Sequence, residues 1–247
     1  MKSPGHNDLC RCGACTHHDG VRPLLSLCEV SFVRDSRVIL DDVNFTVDRG
    51  DFLAITGPNG GGKTTLMRII LGLLKPLSGR VTYYGSDGRP VSYLPIGYLP
   101  QRSMIDLRFP ITVREVIASG LLGLKGLKRD EADRRVDEML TTVDLRSHSS
   151  KAIGELSGGQ LQRTLLGRAL VSQPEVVVLD EPLSYVDKHF EHRIYDIVGE
   201  LKGRSTVLLV SHEMATIDAI ANRHIIVDVN VRECHSATHY THCSCDD

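Results

Sequence analysis

The stretch Gly57-Pro58-Asn59-Gly60-Gly61-Gly62-Lys63-Thr64-Thr65, GPNGGGKTT in one-letter code, decides the fold. Its spacing is G-x-x-x-x-G-K-[ST]. It stands between DFLAIT, a short apolar run that reads as a strand, and TTLMRIILGLL, in which Leu66, Ile69, Ile70 and Leu73 recur at helical spacing. A strand that turns through consecutive glycines into a helix makes a phosphate-binding loop. Gly60, Gly61 and Gly62 let the backbone fold tightly, so that successive N–H groups and the helix N-terminus point at phosphate oxygens. Lys63 is then suited to reach the β and γ phosphates of a nucleotide, and Thr64 to offer its hydroxyl to Mg2+.

Upstream, LSLCEVSFV and VILDDVNFTV are rich in β-branched and aromatic residues with partial alternation, as half-buried strands are. Downstream, KPLSG is expected to end the helix by its Pro and Gly. From about residue 102 to 155 the texture becomes helical, with TVREVIAS and RDEADRRVDEMLTTV and no strand between them, which predicts a separate helical lobe. Alternation then resumes: EVVVLD as a buried strand, KHFEHRIYDIVGEL as a helix ending near Gly203, then TVLLVS and HIIVDV as strands. Continuous apolar strands interleaved with helices predict a mostly parallel sheet covered on both faces. The expected class is α/β: a P-loop nucleotide triphosphatase with an N-terminal antiparallel β part and an inserted helical lobe.

The strand VVVLDE delivers Asp180 and Glu181 to the end at which open parallel sheets hold their ligands. Asp180 is suited to the Mg2+ shell, and Glu181 to polarising a water for attack on a γ-phosphate.

Composition bounds the rest. A chain of 247 residues, 41% hydrophobic and 24% charged, can bury a substantial core. A formal net charge of -2 and the lack of a long basic run argue against nucleic acid as partner. No apolar stretch approaches the roughly 18 residues needed to cross a bilayer, and no short apolar leader opens the chain, so a cytoplasmic location is expected. There the seven cysteines are expected to be mostly reduced.

LSGGQ, at Leu156 to Gln160, completes a set with GPNGGGKTTL, GYLPQ ending in Gln101, VLDEP, and the Ser211-His212 pair. With these five motifs in order, residues 24 to about 227 resemble the ATPase subunit of an ABC transporter. The resemblance implies a head-to-tail pair of such subunits enclosing two ATP molecules. Each ATP lies between Gly57 to Thr65 of one subunit and Ser157, Gly158, Gly159 and Gln160 of the other. It also implies that Gln101 senses the γ-phosphate and Mg2+, that His212 contacts the γ-phosphate, and that Asp187 crosses the dimer interface. Mg2+ is implied to be held through Thr64, Asp180 and Gln101. In one respect the sequence departs from the pattern: where the family commonly stacks an aromatic residue on adenine, VSFVRDSR has Arg34, with Phe32 close by. A guanidinium plane can also stack on a base.

RSMIDLRFPITVREVIASG and the triple glycine of the loop resemble the branch that serves zinc and manganese uptake. That resemblance implies membrane permease subunits as partners, and indirectly an external metal-binding protein. The ends of the chain point the same way, for they hold six of its seven cysteines. Cys12 and Cys15 have the C-x-x-C spacing that grips one tetrahedral ion, with Cys10, His17 and His18 nearby; His239, His242, Cys243 and Cys245 form a comparable set. Mixed sulfur and nitrogen ligands favour zinc over calcium or magnesium. The expected organisation is a Cys/His-rich tail over residues 1–20, an ATPase domain over 21–227 and a second Cys/His-rich tail over 228–247. Competing readings are a transporter of another solute, such as an iron chelate or an exported substrate, and a metal-sensing ATPase whose function would not survive loss of the tails. A soluble ATPase of translation or repair is disfavoured, since neither a second ATPase unit nor a long coiled coil is present.

Overall fold

Hydrophobic periodicity in the chain resolves into ten strands and five α-helices in a computed structural model, which describes residues 23–101, 106–183, 188–211 and 221–234. In chain order these are β1 (Pro23–Arg34), β2 (Arg37–Asp48), β3 (Phe52–Thr56), α1 (Lys63–Ile70), β4 (Ser78–Tyr84), β5 (Pro90–Val91), β6 (Ile96–Leu99), α2 (Val113–Ser119), α3 (Arg129–Thr142), α4 (Gly158–Leu170), β7 (Val176–Asp180), α5 (Lys188–Glu200), β8 (Thr206–Val210), β9 (Arg223–Asp228) and β10 (Asn230–Cys234). Two sheets form: one of four strands in the order β2-β1-β4-β5, and one of six in the order β10-β9-β3-β8-β7-β6. The chain divides into two compact units.

Of the described residues, the first unit comprises 23–49, 57–94 and 226–232. Here β1 and β2 pair antiparallel around Asp35 and Ser36, whose φ of 50° and 62° give the primed turn that matches strand twist. β4 pairs antiparallel with the other edge of β1, and β5 with β4, as the expected N-terminal antiparallel part requires. Leu24, Leu25, Leu27, Leu40 and Val47 are fully buried in this unit, and so are Leu66, Met67 and Ile70 of α1. The helix is shorter than its apolar spacing suggests. It stops at Ile70, the chain turns at Gly72 with φ 69°, and Leu73 is left 63% exposed. The Tyr83 hydroxyl donates to the Ile70 carbonyl at 2.9 Å, satisfying one of the acceptors that a helix end leaves over. Burial pushes the Tyr83 phenol above its ordinary pKa. Ser78 and Gly79, expected to punctuate the helix end, open β4 instead.

The second unit comprises the described residues among 50–56, 95–225 and 233–234. β3, β8, β7 and β6 run parallel to their neighbours, and the strands Phe52–Thr56, Val176–Asp180 and Thr206–Val210 are buried at every position. Burial on both faces is what continuous apolar strands predict. The region expected to be a separate lobe does contain α2 and α3 and no strand among its described residues. Its described apolar residues pack with those of the sheet. Val113, Ile117, Val136 and Leu140 belong to the same apolar cluster as Leu99, Val177, Leu179 and Leu209 of the sheet, with Leu161 and Leu165 of α4 between them.

A further correction concerns the C-terminal tail. It was expected from residue 228, yet Asn230–Cys234 form the edge strand of the six-stranded sheet. In the second unit Arg223 of β9 reaches Asp51 and, at 2.7 Å, Glu233 of β10.

Candidate functional site

In the first unit the glycine loop is set by backbone demands that only glycine meets. Gly57 has φ 135° and Gly62 φ 105°; a Cβ on Gly57 would overlap the Val227 carbonyl oxygen, and one on Gly62 would lie 2.7 Å from the Ile39 carbonyl oxygen. Gly61 accepts from the Val229 amide at 3.1 Å and donates to the Pro58 carbonyl at 3.1 Å, which fixes the loop's curvature. Lys63, buried, donates from Nζ to the carbonyls of Gly57 at 2.8 Å and Pro58 at 2.9 Å. Pro58, Asn59 and Gly60 are exposed, and Thr64 and Thr65 are half-buried in the first turn of α1. The N-cap, Gly62, makes no side-chain cap, so the leading amides of α1 are presented to an external acceptor.

In the second unit three strands release motif residues at the same, C-terminal, end of one sheet. Ile55 of β3 and Asp180 of β7 both lie opposite Val210 of β8, and Leu99 of β6 lies opposite Leu179. Gln101 therefore follows β6 by two residues at the end where β7 releases Asp180 and Glu181 and β8 releases Ser211. Asp180 is fully buried and Glu181 half-buried. Glu181 has φ 54°, uncommon for a residue with a side chain, and its amide donates to the Val210 carbonyl at 3.0 Å.

Ser157 is the N-cap of α4 in a reciprocal capping box: its hydroxyl accepts from the Gln160 amide at 3.2 Å, and its own amide donates to the Gln160 carboxamide oxygen at 3.1 Å. Gly158, Gly159 and Gln160 thus form the uninterrupted first turn of a 13-residue helix. His148, which matches no motif, stands with Nε2 3.2 Å from Gln160 Nε2. Sequence reading also gave no role to Gln162, whose carboxamide nitrogen reaches the carbonyls of Glu181 at 3.1 Å and Pro182 at 3.2 Å. Neither contact has a local signature, because each joins a residue of α4 to one 12 to 20 positions away outside that helix.

Arg34 lies exposed at the end of β1, 3.7 Å from the Asp35 carboxylate, and Phe32 is half-buried. His212, Asp187 and the candidate zinc ligands Cys10, Cys12, Cys15, His17, His18, His239, His242, Cys243 and Cys245 lie outside the described residues. Among the described residues no cluster of three or more His, Cys, Asp or Glu side chains is suited to hold a metal, and no helix is long and apolar enough to cross a membrane.

A glycine loop entering a helix N-terminus and an Asp-Glu pair at the end of a parallel strand define the class of P-loop nucleotide triphosphatases. Residues 40–184 match the family described as ABC transporter, and the chain belongs to that family. It is 35% identical, over 89% of this chain and 88% of the relative, to the Zinc uptake system ATP-binding protein ZurA of Listeria innocua. It is also 42% identical, over 75% of this chain and 79% of the relative, to a Chlamydia trachomatis protein named "Probable metal transport system ATP-binding protein". Among solved structures, it superposes with a TM-score of 0.75 at 26% identity on an ATP-binding cassette solved as a dimer in a post-hydrolysis state with ADP and Pi, covering 85% of this chain and 98% of that one. The protein is accordingly an ATPase of the ABC class, a class that works with nucleotide and Mg2+.

Proposed function

We propose that this chain is the ATP-hydrolysing subunit that energises uptake of a transition-metal ion, zinc or manganese, through membrane permease subunits. Two copies work head to tail at the cytoplasmic face of the membrane, fed from outside by a metal-binding protein. The observation that carries the reading is the 35% identity to a zinc-uptake ATP-binding protein along 89% of the chain, a span that includes every nucleotide motif.

In this reading Gly57 to Thr65 cradle the phosphates of ATP. The Lys63 ammonium exchanges the Gly57 and Pro58 carbonyls for β and γ phosphate oxygens, and the leading amides of α1 add the field of a helix N-terminus. Thr64, Asp180 and Gln101 offer oxygen donors, the kind that suits Mg2+. That ion, when bound, neutralises charge on the β and γ phosphates. Glu181 accepts a proton from the attacking water, and His212 donates to the γ-phosphate. Ser157 to Gln160 close on the nucleotide held by the other copy, Asp187 lines that interface, and Arg34 offers its guanidinium plane to adenine. The tails bind zinc in a buffering or regulatory role.

Loss of the chain should lower cellular accumulation of radiolabelled zinc or manganese. The wild-type chain should restore it, and Glu181→Gln should not. Unchanged accumulation of both metals on loss of the chain would overturn the metal reading and leave the ATPase in place. Elemental mass spectrometry comparing the whole chain with residues 23–234 tests the tails: zinc present only in the whole chain supports them as metal sites.

A further inference from the structure

Glu181 occupies a left-handed backbone conformation, φ 54°, that is unfavourable for a residue with a side chain and persists only where its surroundings hold it. Two groups do so. On one side the Glu181 amide donates to Val210 of β8 at 3.0 Å. On the other, the Gln162 carboxamide donates to two consecutive carbonyls, of Glu181 at 3.1 Å and Pro182 at 3.2 Å. Gln162 is only 1% exposed and sits in the second turn of α4, the helix whose N-cap is Ser157.

The orientation of this amide is settled by its partners, since an oxygen turned toward two carbonyls would be repelled by both. That orientation leaves Gln162 Oε1 buried, with no hydrogen bond among the described residues. A leucine of similar size would spare that oxygen but take this donor from the Glu181 and Pro182 carbonyls, so the side chain is committed to holding the turn.

We propose that Gln162 is a positioning residue for hydrolysis. It ties the helix that begins at Ser157 to the turn that bears Glu181, so that the Glu181 carboxylate is aimed only while α4 is in place. The inference rests on the proposed role of Glu181 as the group that takes the water's proton. Gln162 acts through that turn and touches neither nucleotide nor water.

The test is steady-state hydrolysis of MgATP by the full chain carrying Gln162→Leu, Glu181→Gln, or both. Gln162→Leu is expected to lower kcat at least tenfold with KM for MgATP within twofold, and to add nothing in the Glu181→Gln background. Wild-type kcat in Gln162→Leu alongside an inactive Glu181→Gln would overturn the positioning role and leave the reading of Glu181 standing. Near-normal kcat in Glu181→Gln would overturn that reading, and the inference with it. Should Gln162→Leu fail to fold, hydrogen exchange of the Gln162 carboxamide protons in the unaltered chain decides: protection supports the contact, and exchange at the rate of a free amide overturns it.

Discussion

The ammonium of Lys63 closes back on the carbonyl oxygen of Gly57 at 2.8 Å, so the first residue of helix α1 clasps the first residue of the loop that precedes it. The same ammonium holds Pro58 at 2.9 Å, and a nucleotide phosphate must replace these contacts with stronger, charge-assisted ones. Lys63→Ala should therefore weaken ATP binding at least tenfold by calorimetry. Unaltered affinity would remove Lys63 from the phosphate site.

Glycines in this loop differ in what an added methyl meets. Gly60 has φ 80° and nothing within 4 Å of a built Cβ, whereas a Cβ at Gly57 would overlap the Val227 carbonyl. Gly60→Ala should cost about 1 kcal/mol, the left-handed penalty alone. Gly57→Ala should cost several times that, or prevent folding. Denaturant titration of the two variants checks the order.

Ser157 combines a structural and a proposed functional role, and one substitution separates them. Aspartate caps helices as well as serine does, so Ser157→Asp should leave the thermal midpoint nearly unchanged. Its charge faces the anion that the segment is proposed to receive. In a Glu181→Gln background, ATP-dependent dimerisation measured by size-exclusion chromatography should be lost. A dimer that persists would exclude Ser157 from the interface.

Strand β10 is integral to the second sheet. Ending the chain at residue 229 removes Glu233 and takes one carboxylate from the Arg223 guanidinium, whose side chain is 11% exposed. Compared with a chain ending at residue 234, it should be less stable by about 2 kcal/mol or more. Equal midpoints in thermal denaturation would show that β10 is dispensable.

Glu115 supplies a pH-dependent contribution. The Thr112 amide donates to its carboxylate at 2.8 Å and the Thr112 hydroxyl at 2.7 Å, holding the Glu115 pKa below its ordinary 4.5. A lowered carboxylate pKa stabilises the fold fully above the ordinary value, and that contribution is lost as pH falls through the lower folded value. Glu115→Gln keeps a neutral capping box. The stability difference between wild type and Glu115→Gln should hold at neutral pH and shrink below about pH 4.5. A difference that is flat with pH would contradict the assignment.

By itself the sequence determined the features that local spacing sets. GPNGGGKTT between a strand and a helix and the buried strand ending in Asp180 and Glu181 are each encoded within about ten consecutive residues. Backbone sterics and hydrogen-bonding capacity are legible at that range. Tertiary structure alone decided the features that depend on distant partners. α1 stops at Ile70 because Tyr83 and the turn at Gly72 take over from its apolar spacing, and Asn230–Cys234 become a strand because β9 offers an edge and Arg223 an ion pair. Gln162 reaches Glu181 because α4 packs against β6, the neighbour of β7 in the sheet. Such contacts carry no sequence period: they arise where a buried donor must find an acceptor, and which acceptor lies within reach is settled only once the core has packed.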